Sequence, residues 1–215
     1  MLRGPGPLVT SLLLTTVCKK CNRMDRWWVL PVMETITTSR DNEIARTLIS
    51  DFDRGFTEMV HLYQPGIYSG ARRLTRRVED ARDVAQDTFV KAYTTLGGYD
   101  EERIRAMRFQ PWLWTIALNL CRNRARDHKI EVPLRDAEMA DAKSHAVVDD
   151  VAWERRLAIL NQNQRNAVVL RHVLDLPIAD IAEATGRPEG TVKADIARGL
   201  DRLRSTMQAE ELNEH

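Results

Sequence analysis

Three stripes of polar residues at helical spacing carry the chemistry that this sequence offers. Asn119, Arg122, Asn123 and Arg126 fall at i, i+3, i+4 and i+7 within FQPWLWTIALNLCRNRARDHK. Such a row supplies cations for phosphate and amides for base edges or for a base drawn out of its stack. The same row also suits an ordinary solvated face. In TVKADIARGLDRLR, Lys193 and Arg198 alternate with Ala194 and Ala197. Small residues let a helix approach a major groove closely, and the two cations can then reach phosphates or guanine edges. In DARDVAQDTFVKAY, a third stripe of Asp83, Gln86, Asp87 and Val90 lies opposite an apolar one. Nothing resembles a catalytic constellation. His61, His128, His145, His172 and His215 are dispersed, and there are no paired acids and no Gly-rich phosphate loop. Cys18-x-x-Cys21 lacks the second pair of ligands that a structural zinc site requires. We therefore expect no enzyme activity, no metal, no cofactor and no small-molecule substrate.

The elements that position these stripes are helices. Ala81, Val84, Ala85, Thr88, Phe89 and Ala92 recur at core-facing helical spacing, and Gly97-Gly98 ends that helix. Pro111 suits the first turn of the next helix, whose apolar stripe is Leu113, Ile116, Ala117 and Leu120. Further on, Ile178, Ile181 and Ala182 should pack inward and Gly186 should supply a turn. Thr191 should open a second helix with core face Val192, Ile196, Gly199, Leu200 and Leu203. Two helices joined by a tight turn form the helix-turn-helix pattern, which a plain helical hairpin shares.

Composition bounds the class. A chain of 215 residues with 6% aromatic and 29% charged residues suits a soluble helical protein of one large or two small domains. The net charge is only +1, so any nucleic-acid surface must arise by local clustering. Three cysteines make no disulfide framework and point to a reducing cytoplasm. The apolar run Pro7 to Val17 is too short to span a membrane. The expected fold is all-α, with two small helical domains joined by a flexible linker. Residues 1–45 read as a disordered extension, or as sequence ahead of a true start at Met24 or Met33. Residues 46–128 form the first domain, the Ala- and Asp-rich 129–150 the linker, 151–207 the helix-turn-helix domain and 208–215 a tail.

The order of these pieces resembles the sigma-70 family of bacterial transcription initiation factors in its two-domain, extracytoplasmic-function (ECF) form. DVAQDTFVKAY is similar to the family's core-polymerase-binding helix, D-x-x-Q-E-x-F-x-x-x-[WY]. WLWTIALNLCRNRAR is similar to its −10 helix, W-L-x-x-I-A-x-N followed by a basic run. LRHVLDLPIADIAEATGRPEGTVKADIARGLDRLR is similar to its −35 helix-turn-helix. The resemblance covers about residues 50–207. It departs at Asp87, where Glu is usual, in the longer segment Asp100 to Phe109, and at Ala194 and Asp195 in the recognition helix.

The resemblance implies a mechanism. Asp83, Gln86 and Asp87 would dock on a basic coiled coil of core RNA polymerase. Thr95, Tyr99, Ile116 and Asn119 would form a pocket for an unstacked −10 base, flanked by Arg122, Asn123 and Arg126. Arg171, Thr191, Lys193, Ala194, Ala197 and Arg198 would read the −35 element. Partners would be core polymerase, promoter DNA and an anti-sigma factor. Trp112 and Trp114 are candidates for stacking on bases, although Trp112 opens an apolar stripe and fits a core. Two other classes share parts of the pattern. A one-component or response-regulator transcription factor would need strands over 46–128. A recombinase would need a nucleophile such as Tyr93 beside Arg72-Arg73. Asp195 allows two readings: it faces a phosphate and repels it, or it pairs with Arg198 at i,i+3 and fixes that side chain.

Overall fold

The computed structural model describes residues 30–75, 77–131, 153 and 155–213, and these form helices without strands. The helices are α1 (Leu30–Ser50), α2 (Phe52–Leu74), α3 (Val78–Leu96), α4 (Glu101–Ala106) and α5 (Phe109–Glu131). Then follow α6 (Gln162–Val168), which runs on into a π turn at Val169–Val173, α7 (Ile178–Thr185) and α8 (Glu189–Asn213). The all-α expectation and its two helical units hold.

Capping fixes where several helices begin. Asp51 accepts the backbone N–H of Arg54 at 3.1 Å, and Asp100 that of Arg103 at 2.8 Å. Asn161 and Gln164 form a reciprocal capping box at the start of α6. At the far end of α7, Gly186 adopts φ 65°, a left-handed conformation that non-glycine residues rarely occupy. This closes the helix-turn-helix corner. Gly97 ends α3 with φ −61°, so that helix stops without a left-handed cap.

In the first unit, α2 packs against α1 and α3, and α3 against α5. Met59, Ile67, Val84, Leu96, Phe109 and Leu113 are fully buried there. In the second, Val168, Val169, Leu176, Ile181 and Val192 are buried where α6, α7 and α8 meet. The helix-turn-helix core face is as expected at Val192, Ile196 and Leu203.

Helix α1 starts at Leu30 and buries Asp41, Ile44, Ala45 and Leu48. This apolar period is short, and the residues before it have no matching pattern, so a window that spans both dilutes it. Within the longer segment 100–109, α4 buries Ile104. Cys18, Cys21, Trp27 and Trp28 lie outside the described residues, as does most of the 129–150 linker, although α5 extends to Glu131.

The two units touch. α7 packs on α5, and the π turn on α2. Arg108, just ahead of α5, pairs with Asp180 and, at 3.1 Å, with Glu183 of α7. Gly70 of α2 lies where Trp114 of α5 and Leu174, beyond the π turn, converge. A Cβ there would fall 2.3 Å from the indole and 2.8 Å from Leu174, so glycine permits this close approach. Behind Arg108, Asp41 accepts the Tyr63 hydroxyl at 2.5 Å. Burial pushes the Asp41 carboxyl above its usual range.

Candidate polymerase and nucleic-acid interface

The apolar period of α3 turns Ala81, Val84, Ala85, Thr88 and Phe89 into the core. Asp83 and Gln86 are thereby left exposed and Asp87 half-exposed, with Val90 at 56% exposure beside them. A residue from the basic run of α5, outside its polar stripe, joins this face. Arg124 of α5 pairs with Asp83 at 3.3 Å and with Asp87 at 3.2 Å. One guanidinium thus partly neutralises both carboxylates. Next to this face, an apolar groove of about 660 Å³ runs between α2 and α3, lined in part by Phe56, Val60, Tyr68, Phe89 and Val90.

On α5, Asn119, Arg122, Asn123 and Arg126 are on the accessible face, as their spacing predicts. Arg122 donates to the Asn119 side-chain oxygen at 2.9 Å, and Arg126 to that of Asn123 at 3.5 Å. Each amide oxygen thus accepts from a guanidinium of the same stripe. Thr95 is exposed near the end of α3, while Tyr99 and Ile116 are half-buried against the core. The Tyr99 ring lies 6.5 Å from that of Trp112, linking the end of α3 to the start of α5. The Arg103 guanidinium sits 3.7 Å from the Tyr99 ring centroid, a cation–π contact that no motif signals. Trp114 is only 2% exposed, which removes it as a base-stacking candidate here, whereas Trp112 is half-buried beside Tyr99.

On α8, Lys193, Ala197 and Arg198 are exposed and Thr191 and Ala194 lie at or near the surface. Lys193 is 3.3 Å from Glu189. Arg171 is half-buried and donates to the Leu176 carbonyl at 2.9 Å, so part of its guanidinium braces the π turn against the entry to α7. Asp195 is buried. It pairs with Arg198 at 2.8 Å and with Arg187, which follows the turn glycine. The phosphate-facing reading of Asp195 is thus overturned, because the carboxylate does not reach the surface. The pairing with Arg198 is present, and Arg187 is a partner that i,i+3 spacing could not reveal.

Tyr93, the residue that a recombinase reading would use as its nucleophile, is exposed at 43%. Its hydroxyl donates to Asp53 at 2.8 Å, and this acceptor, together with the carboxylate's charge, raises the phenol above its ordinary pKa. Among the described residues, no group of three or more His, Cys, Asp or Glu could hold a metal, and no helix is long and apolar enough to cross a membrane.

Family models agree with this two-part geometry. Residues 59–130 match Sigma-70 region 2, and residues 150–203 match Sigma-70, region 4. The ECF RNA polymerase sigma factor SigW of Bacillus subtilis is 31% identical over 171 residues, covering 71% of this chain and 89% of that protein. The RNA polymerase sigma-E factor of Streptomyces avermitilis is 32% identical over 163 residues, covering 74% and 88%. Among solved structures, CnrH in complex with the cytosolic domain of CnrY superposes with a TM-score of 0.64 at 24% identity, covering 79% of this chain and 97% of that one. The sigma factor RpoE of Bartonella quintana, in complex with the anti-sigma factor NepR, gives a TM-score of 0.56 at 24% identity, covering 71% and 96%. With both regions in order around the faces just described, the chain belongs to the sigma-70 family, as an ECF RNA polymerase sigma factor that acts in transcription initiation.

Proposed function

We propose that the first unit docks on core polymerase through Asp83, Gln86 and Asp87. In the open complex, α5 then captures a −10 base among Thr95, Tyr99, Ile116 and Asn119. Extruding a base costs a few kcal/mol, offset by stacking and amide hydrogen bonds. Arg122, Asn123 and Arg126 hold the adjacent phosphates. The second unit reads the −35 element through Thr191, Lys193, Ala194, Ala197 and Arg198, with Arg171 bracing the turn that presents α7. The observation that carries this reading is the Asn119–Arg122 and Asn123–Arg126 ladder, a cationic and amide face on an otherwise near-neutral chain.

The chain does no covalent chemistry of its own, because the polymerase supplies it, and it needs no cofactor. It works in the cytoplasm. An anti-sigma factor is a further partner, by analogy with the relative that is bound to one. The test is transcription in vitro from purified chain, core polymerase and a promoter library. Starts at discrete positions that require both proteins support the reading. Sequence-specific DNA binding without core polymerase, and no core-dependent starts, would point to a one-component regulator and sink it.

A further inference from the structure

We propose that Asp195 and Arg187 are positioning residues for −35 specificity, acting through Arg198. The recognition helix offers Arg198 as an exposed cation, with 60% of its side chain accessible. A free arginine samples many rotamers and meets phosphates and bases without discrimination. Here one of its terminal nitrogens is fixed at 2.8 Å on Asp195 Oδ1. The planar fork is then oriented as a unit, and its remaining donors are presented from one direction. That matches the bidentate recognition of guanine O6 and N7 in a major groove.

Asp195 can orient Arg198 only if it is itself immobile. Its burial beside Val192 and Ile196 supplies part of this rigidity. The other part is Arg187, which holds Oδ2, only 29% of its own side chain being accessible. The two arginines thus occupy the two oxygens of one carboxylate. Arg187 stands directly after Gly186, so this bracket also ties the turn to the middle of the recognition helix. A buried carboxylate is unfavourable unless paired and hydrogen-bonded, and both oxygens here are bonded. The ligand chemistry implied is a guanine at one position of the −35 element.

This inference rests on the assignment of α8 to the −35 element, and the experiment separates the two. A promoter library randomised over the −35 element is transcribed by holoenzyme containing wild type, Asp195→Asn, Arg198→Ala or the Asp195→Asn/Arg198→Ala double variant. A good bidentate contact discriminates by about 5- to 150-fold at its base pair. We expect Asp195→Asn to lower that preference at least about fivefold, with −10 preference and the salt slope unchanged. The double variant should have the profile of Arg198→Ala, since Asp195 acts through that residue. Arg187→Lys, which keeps the charge but loses the fork, should give an intermediate loss. It also serves as the test should Asp195→Asn fail to fold. A wild-type profile for Asp195→Asn, additive effects in the double variant, or uniformly weakened use of every −35 sequence overturns the inference. A salt slope steeper by about 0.9 for Asp195→Asn would mean that the variant neutralises one more phosphate than wild type, and overturns it too. A wild-type −35 profile for Arg198→Ala overturns the inference alone, whereas the absence of any −35 preference with the wild-type chain overturns the assignment of α8 and the inference with it.

Discussion

If the first unit docks on core polymerase as proposed, Arg124 competes for Asp83 and Asp87, and removing it should tighten core binding. Its guanidinium lies 3.3 Å from Asp83 and 3.2 Å from Asp87. The three side chains are between 35% and 52% accessible, so water screens both pairs. Exposed pairs of this kind are worth about 0.2–1 kcal/mol each. A basic coiled coil that takes over these carboxylates must displace that interaction. Arg124→Ala should therefore improve affinity by about 0.5–1 kcal/mol, roughly two- to fivefold, with little effect on folding stability. The opposite perturbation, Asp83→Arg with Asp87→Arg, sets like charges against the coiled coil. It should cost about 2–5 kcal/mol, or at least about thirtyfold. The assay is fluorescence-anisotropy titration of labelled sigma factor with core polymerase at several salt concentrations. Both effects should shrink as salt rises, because the Debye length falls from about 10 Å at 0.1 M to about 3 Å at 1 M. Weaker binding by Arg124→Ala would refute the reasoning. It would mean that Arg124 organises the carboxylates for docking or touches the polymerase itself. Undiminished binding by the double reversal would remove the docking assignment altogether.

Three other perturbations probe other parts of the molecule. Asn119→Ala should lower promoter melting, read by permanganate footprinting, while leaving core affinity unchanged; equal melting by variant and wild type would count against base capture. Arg108→Ala removes both pairs between the α5 entrance and α7, one of them to the buried Asp180. Allowing for the half-exposed guanidinium, it should weaken the contact between the two units by about 1–2 kcal/mol, seen as faster hydrogen exchange in α7. Cys121 is buried and its thiol is pushed up to about 12 from 9.0, chiefly by burial. In a Cys18→Ser/Cys21→Ser background, iodoacetamide at about pH 8, below the thiol's ordinary range, should modify it only as fast as the protein unfolds. The folded thiol keeps its proton after the unfolded one has lost it, so this site's contribution to stability falls as pH rises from about 9 towards 12.

What the sequence determined was everything encoded by neighbours along one helix. The apolar stripe of α3, the Asn119–Arg126 ladder, the Gly186 turn and the core face of α8 all follow from a 3.6-residue period and local cap chemistry. Spacing of that kind placed Asp83, Gln86 and Asp87 on one side of α3 and raised the Asp195–Arg198 pair as an alternative. It could not tell how far Asp195 sits from solvent, because the residue lies at the edge of the apolar stripe and the packing around the turn decides its burial. Nor could it place Arg124 beside Asp83 and Asp87, or Arg103 over Tyr99, since side-chain contacts between separate elements depend on how those elements cross. Trp112 and Trp114 show the same division. Both belong to one helical turn, yet Trp114 is buried where Gly70 and Leu174 converge on it, while Trp112 stays half-exposed against Tyr99. A period assigns a residue to a face of its helix. Only the tertiary structure decides what covers that face, and with it which charges meet and which remain accessible to a partner.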